Sequence, residues 1–112
     1  MKISVIIKPT HMTFDIQSKD LDLTDAIRAY AEAKLSMLEK YYDHCERIDC
    51  ELVKDSGHRQ HGEIFVCKGH LFVPGKDFFV EKREEDLYKA IDKVQSHLKE
   101  MLVEWKEKQR EK

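Results

Sequence analysis

The sequence predicts an α+β domain in which two helices pack on one face of a four-stranded sheet. Three observations predict it. Apolar and polar side chains alternate in short runs near residue 13 and between residues 47 and 82. Apolar side chains recur at spacings of three and four over residues 25–42 and 84–108. Three of the strands cluster between the helices instead of alternating with them, giving the order β-α-β-β-β-α and an antiparallel-rich sheet with one open face.

Met12 opens a clean strand pattern, and Thr13 to Ser18 alternates as a half-buried strand does. Residues 1–11 stand before it as an N-terminal extension, an upstream start or an extra edge strand; residues 12–112 form one domain. Thr24 offers an N-cap hydroxyl and Asp25 a negative charge in the first turn, where the helix dipole favours it. Ile27, Ala31, Leu35, Leu38 and Tyr42 then trace the first helix, over about 25–42.

Ile48, Cys50 and Leu52 alternate with Asp49 and Glu51 in the second strand, over 47–53. Residues 55–62 are a loop. A β-branched and aromatic third strand runs over 63–73. Pro74-Gly75 is a tight turn, so the third strand and a fourth over 78–82 form a hairpin. The second helix covers about 84–108, with Leu87, Ile91, Val94, Leu98, Met101 and Trp105 on one arc covering the sheet. At 1.5 Å per residue it is roughly 37 Å long, and its last turns are expected to project into solvent or to meet a coiled-coil partner.

A chain of 112 residues supports one modest core. Hydrophobic side chains at 41% and charged ones at 38% describe a folded chain with a highly charged surface. Net charge is −2, from 20 basic and 22 acidic side chains, which argues against nonspecific coating of DNA while allowing a local basic face. Cys45, Cys50 and Cys67 are read as reduced thiols in a cytoplasmic protein. The apolar run Ile3 to Ile7 is too short for a secretion signal or a membrane span, and no membrane partner is expected.

Little points to enzymatic or metal chemistry, so no enzyme and no cofactor are expected. Nucleophile elbows, Gly-rich phosphate loops and His-Glu-x-x-His are absent from the sequence. His44, Cys45, Cys50, His58, His61, Cys67 and His70 cluster, but their spacings do not match a structural zinc site. The strand thiols are instead read as buried. Tyr30, Tyr41, Tyr42, Phe65, Phe72, Phe78 and Phe79 divide between core and open face, the outer ones being either edge cover or platforms for bases.

Ile16-Gln17-Ser18-Lys19, Leu23-Thr24-Asp25-Ala26-Ile27-Arg28, Leu38-Glu39-Lys40-Tyr41, Val73-Pro74-Gly75-Lys76 and Glu85-Asp86-Leu87-Tyr88-Lys89-Ala90-Ile91-Asp92 follow one another along the chain. In this order they resemble the ribosome hibernation promoting factor family, which includes ribosome-associated inhibitor A. The resemblance covers about residues 12–105 and implies a fold similar to a double-stranded RNA-binding domain with an added first strand. It also implies a bacterial stress and stationary-phase factor that binds the small ribosomal subunit and its ribosomal RNA. Such a factor occludes the channel for messenger and transfer RNA and so inhibits translation. The match is to a short form or an isolated N-terminal domain, expected to be monomeric off the ribosome.

Family members bind through basic residues on both helices. Lys34 and Lys40 fall at such positions, Met37 at one where a base is common, and His97, Glu100 and Glu104 at positions that are often Lys or Arg. From residue 81 onward nine basic side chains balance nine acidic ones, while the helical strip Asp86, Lys89, Lys93, His97, Glu100 and Glu104 is basic in its early part and acidic in its late part. Lys82, Arg83, Lys89 and Lys93 are therefore read as a local phosphate-facing patch, Arg suiting bidentate contact and Lys a point charge. Lys89 and Lys93 are a like-charge pair that either a phosphate or Glu85 would relieve. Arg28 either contacts RNA or pairs with Glu32. His97 would add charge below about pH 6.5. The alternative function is a protein-interaction module using the open sheet face or the projecting end of the second helix.

Overall fold

The computed structural model describes residues 12–56 and 62–110. The expectations for residues 1–11 and for His58 and His61 lie outside them. The elements are β1 (Thr13–Lys19), α1 (Asp25–Ser36), a 3₁₀ turn (Met37–Lys40), β2 (Arg47–Asp55), β3 (Ile64–Val73), β4 (Lys76–Glu84) and α2 (Leu87–Arg110). The sheet order is β1-β2-β3-β4. β1 pairs parallel with β2, as the α1 crossover requires, and the other two pairings are antiparallel. Both helices lie on one face, and the order β-α-β-β-β-α is the expected one.

The α1 boundary differs from the periodicity. Thr24 caps its start, its Oγ1 accepting from the Ile27 amide at 3.1 Å. The α-helix stops at Ser36 because the Met37 amide bonds to the Lys34 as well as the Leu35 carbonyl, and a 3₁₀ turn follows. That tighter turn drives Leu38 into the core and leaves Tyr41 and Tyr42 half-buried beside α2. α2 starts at Leu87, not at 84. Glu84 belongs to β4, and the Asp86 carboxylate accepts from the Tyr88 amide at 2.9 Å, capping the helix.

Leu35, Leu38, Ile48, Leu52, Leu71, Ile91, Leu98 and Leu102 are fully buried between helices and sheet. Leu102, which the spacing pattern passes over, is buried, while Met101 and Trp105 only flank the core. Trp105 meets Tyr42 edge-on at 5.4 Å and Phe78 at 6.0 Å, and Lys106 Nζ donates to the Tyr41 carbonyl at 2.6 Å. The expected projection of α2 is thus confined to its last turn, residues 107–110, all exposed. α2 crosses β3 at Gly69, where an added Cβ would lie 2.6 Å from Val94 Cγ1, so only glycine permits this approach. Gly75, at φ 78°, closes the β3–β4 hairpin in a conformation other residues avoid.

Candidate nucleic-acid interface

Strand pleating separates the expected patch. Phe78 and Val80 are buried toward the helices, so Lys82 shares their side and Arg83 faces the opposite, open side. There Arg83 donates to Asp55 at 2.6 Å and lies 3.8 Å from Glu81. The patch of four does not form as one surface. Lys82 instead joins Lys93, Ser96, His97 and Glu100 around a shallow open cavity of about 280 Å³ between β4 and α2. Lys93 also donates to Glu84 at 2.7 Å.

Lys89 on α2, Arg28 on α1 and Lys40 on the 3₁₀ turn are exposed on the helical side. Among the described residues Arg28, Lys40, Lys82 and Lys89 form no ion pair, whereas Lys34, Lys93 and Arg83 do. Arg28 is not held by Glu32, nor Lys89 by Glu85; each pair is absent among the described residues. A phosphate can therefore be taken up by these four side chains without displacing a carboxylate.

The seam between the helices carries chemistry that the sequence reading missed. Tyr30 on α1 donates its hydroxyl to Asp92 Oδ1 on α2 at 2.6 Å, and Lys34 Nζ lies 3.6 Å from the same oxygen. Tyr88 meets Tyr30 edge-on at 4.8 Å. The hydrogen bond to Asp92, then burial, then the Asp92 charge push the Tyr30 phenol up to about 12. Further along, Lys99 sits 5.0 Å over the Tyr41 ring. Asp92, Lys99 and Lys106 recur every seven residues along the side of α2 that meets Tyr30 and Tyr41, a spacing legible in the sequence.

The open sheet face is different. Along β2 and β4 it presents Asp49, Glu51, Asp55, Asp77 and Glu81, tied into pairs such as Arg47–Asp49 at 2.6 Å and Lys68–Glu51 at 3.6 Å. His70 stacks on Phe72 at 4.2 Å and contacts Asp77 at 2.6 Å. Phe79 is 53% exposed. Of the strand aromatics, Phe72 and Phe79 lie on this face, and Phe14, Phe65 and Phe78 on the helical side.

Cys50 and Cys67 lie side by side in the core, Sγ to Sγ 4.0 Å. Their mutual contact and burial hold the Cys67 thiol far above its ordinary range. Burial, then the Glu39 and Asp43 charges, push Cys45 up to about 11. Cys45 and Cys67 therefore retain their protons at neutral pH, and all three cysteines are free and buried.

A family model described as sigma 54 modulation protein / S30EA ribosomal protein matches residues 14–110. The chain is 31% identical over 98 residues to a ribosome hibernation promoting factor of Azotobacter vinelandii, covering 88% of this chain and 86% of that one. It is 33% identical over 82 residues to one of Acidithiobacillus ferridurans, covering 72% and 100%. The fold superposes on the Protein Y N-terminal domain of Thermus thermophilus with a TM-score of 0.66 and 28% identity, over 85% of this chain and 98% of that one.

Proposed function

Because this chain belongs to the sigma 54 modulation protein / S30EA ribosomal protein family, whose members include ribosome hibernation promoting factors, we propose that it is a ribosome-bound inhibitor of translation. It acts by occupancy and without turnover. Its helical side docks on ribosomal RNA of the small subunit and fills the channel that messenger and transfer RNA would use. The observation that carries this reading is a group of cations on that side that form no ion pair among the described residues: Arg28, Lys40, Lys82 and Lys89.

Lys34 and Lys93 add to it. Their surface ion pairs are worth only about 0–1 kcal/mol each, less than a phosphate contact returns. Arg83 faces away and is not part of this surface. Glu100 and Glu104 follow Lys89 and Lys93 along one strip of α2 and confine RNA contact on that strip to its first turns.

The test is sedimentation of a stationary-phase lysate through a sucrose gradient. The chain is expected in the small-subunit or ribosome fractions, and its absence from all of them overturns the reading. The exposed Phe79 favours a second role for the sheet face in protein contact.

A further inference from the structure

β4 is the last strand of the sheet, and among the described residues nothing pairs with its outer edge. The two-residue turn makes Val73 and Lys76 the hydrogen-bonded closing pair of the hairpin. Amides alternate along an antiparallel strand, so those of Lys76, Phe78, Val80 and Lys82 point to β3. Those of Asp77, Phe79, Glu81 and Arg83 point outward. Nine residues of edge with outward hydrogen-bonding groups and a half-exposed phenylalanine form a template for another strand.

The order of charges along β4 selects that strand. The sequence Lys76-Asp77-Phe78-Phe79-Val80-Glu81-Lys82-Arg83-Glu84 is self-complementary when two copies run antiparallel about Val80. Lys76 then opposes Glu84 of the second copy, and Asp77 opposes Arg83 of the second copy. Phe79 of each copy lies diagonal to the other on the open face. Shifting the pairing by two residues in either direction sets Asp77 against Glu81 and Lys76 against Lys82, or Glu81 against its own copy. The outward amides fall opposite one another only in registers of this parity.

α2 supplies a second, independent match. Lys82 lies beside Lys93, His97 and Glu100, while Lys76 and Phe79 lie beside Met101, Glu104 and Lys108, so α2 runs antiparallel to β4 along this edge. A two-fold through Val80, perpendicular to the sheet, brings two antiparallel α2 helices side by side. On this edge Lys93 of one helix then runs along Glu100 and Glu104 of the other. We propose that two copies of this chain associate through β4 edges into a continuous eight-stranded sheet, with antiparallel α2 helices above it. The interface is isologous, so each ion pair occurs twice. It covers Lys82 and Lys93 and leaves Arg28, Lys34 and Lys40 open. It therefore competes with the proposed ribosome binding for Lys82 and Lys93, although it is argued from a different surface, and it departs from the monomer expected from sequence.

The test is sedimentation equilibrium of the full chain, with no ribosome present, together with the variants Lys76→Glu and Glu84→Lys. The wild type is expected to show a concentration-dependent monomer–dimer equilibrium. Each variant alone sets like charges opposite one another twice and is expected to raise the dissociation constant about tenfold. An equimolar mixture of the two variants restores complementary pairs at both positions and is expected to regain dimer at the wild-type level. Hydrogen exchange should show Asp77, Phe79, Glu81 and Arg83 amides slowing with concentration, and no such slowing elsewhere on the sheet. Circular dichroism confirms that each variant is folded, and the exchange measurement on the wild type decides if either is not. A wild type that stays monomeric at millimolar concentration overturns the inference. So does a mixture no more associated than its components.

Discussion

The hydroxyl of Tyr30 donates to the carboxylate of Asp92 across the two helices at 2.6 Å, and this bond joins residues 62 positions apart. It also fixes Lys34, which shares the same oxygen. A hydrogen bond to a charged group contributes about 1.5–3 kcal/mol when desolvated and less at a half-exposed seam. Asp92→Asn and Tyr30→Phe are each expected to destabilise the fold by about 1 kcal/mol, with a coupling of about 0.5–1 kcal/mol in a double-mutant cycle. Urea unfolding of the four proteins measures it. Additive effects would show that the two groups do not interact.

The same bond gives stability an alkaline dependence. Folding raises the Tyr30 phenol from 10.0 to about 12, mainly through Asp92. The unfolded chain therefore releases this proton first as pH rises, and the folded chain holds more protons in between. The contribution is complete below pH 10 and is lost as pH rises to about 12. Unfolding free energies across this window should fall more steeply for the wild type than for Tyr30→Phe. Equal slopes would contradict the assignment.

Gly69 sets the distance between β3 and α2. A Cβ there meets Val94 Cγ1 at 2.6 Å and Leu98 Cδ1 at 3.2 Å, both buried side chains without room to retreat. Gly69→Ala is expected to cost about 1–3 kcal/mol by overpacking. Val94→Ala in the same chain should recover part of that loss, because it removes the methyl in the way. Thermal melts of the two single variants and the double variant provide the check, and strictly additive losses would rule out the steric cause.

Neighbours in sequence, Lys82 and Arg83 lie on opposite faces, and only Lys82 shares the helical side with the other free cations. Lys82→Ser should weaken ribosome binding several-fold, and Arg83→Ser should leave it within twofold while loosening the contact with Asp55. Quantitative pelleting with small subunits separates the two. Equal loss from both substitutions would move the interface to the edge of β4.

Much of this fold was legible because the periods are unambiguous. Cys50 and Leu52 alternate with charge, and Leu87, Ile91, Val94 and Leu98 hold a helical arc, so strands, helices and their buried faces followed from local pattern. The end of α1 did not, because the switch from α to 3₁₀ at Met37 accompanies the burial of Leu38 in the core, a tertiary event. The site was harder to read for the same reason. Lys82 and Arg83 are adjacent in sequence, and only the strand register sends one to each face. Which cations are neutralised depends on partners such as Asp55, 28 residues from Arg83. Asp92 lay inside the motif that carried the resemblance, yet its bond to Tyr30 exists only once the helices pack.

In the proposed binding mode, free cations on the helical side hold the chain to ribosomal RNA. Binding of purified small subunits by the wild type and by a variant with Arg28, Lys40, Lys82 and Lys89 changed to Ser, measured from low to moderate salt, tests it most directly. The predicted result is a steep loss of wild-type affinity with salt, and a variant that binds more weakly with a log–log slope shallower by roughly three. A folded variant that binds small subunits with wild-type affinity and wild-type salt dependence would contradict it.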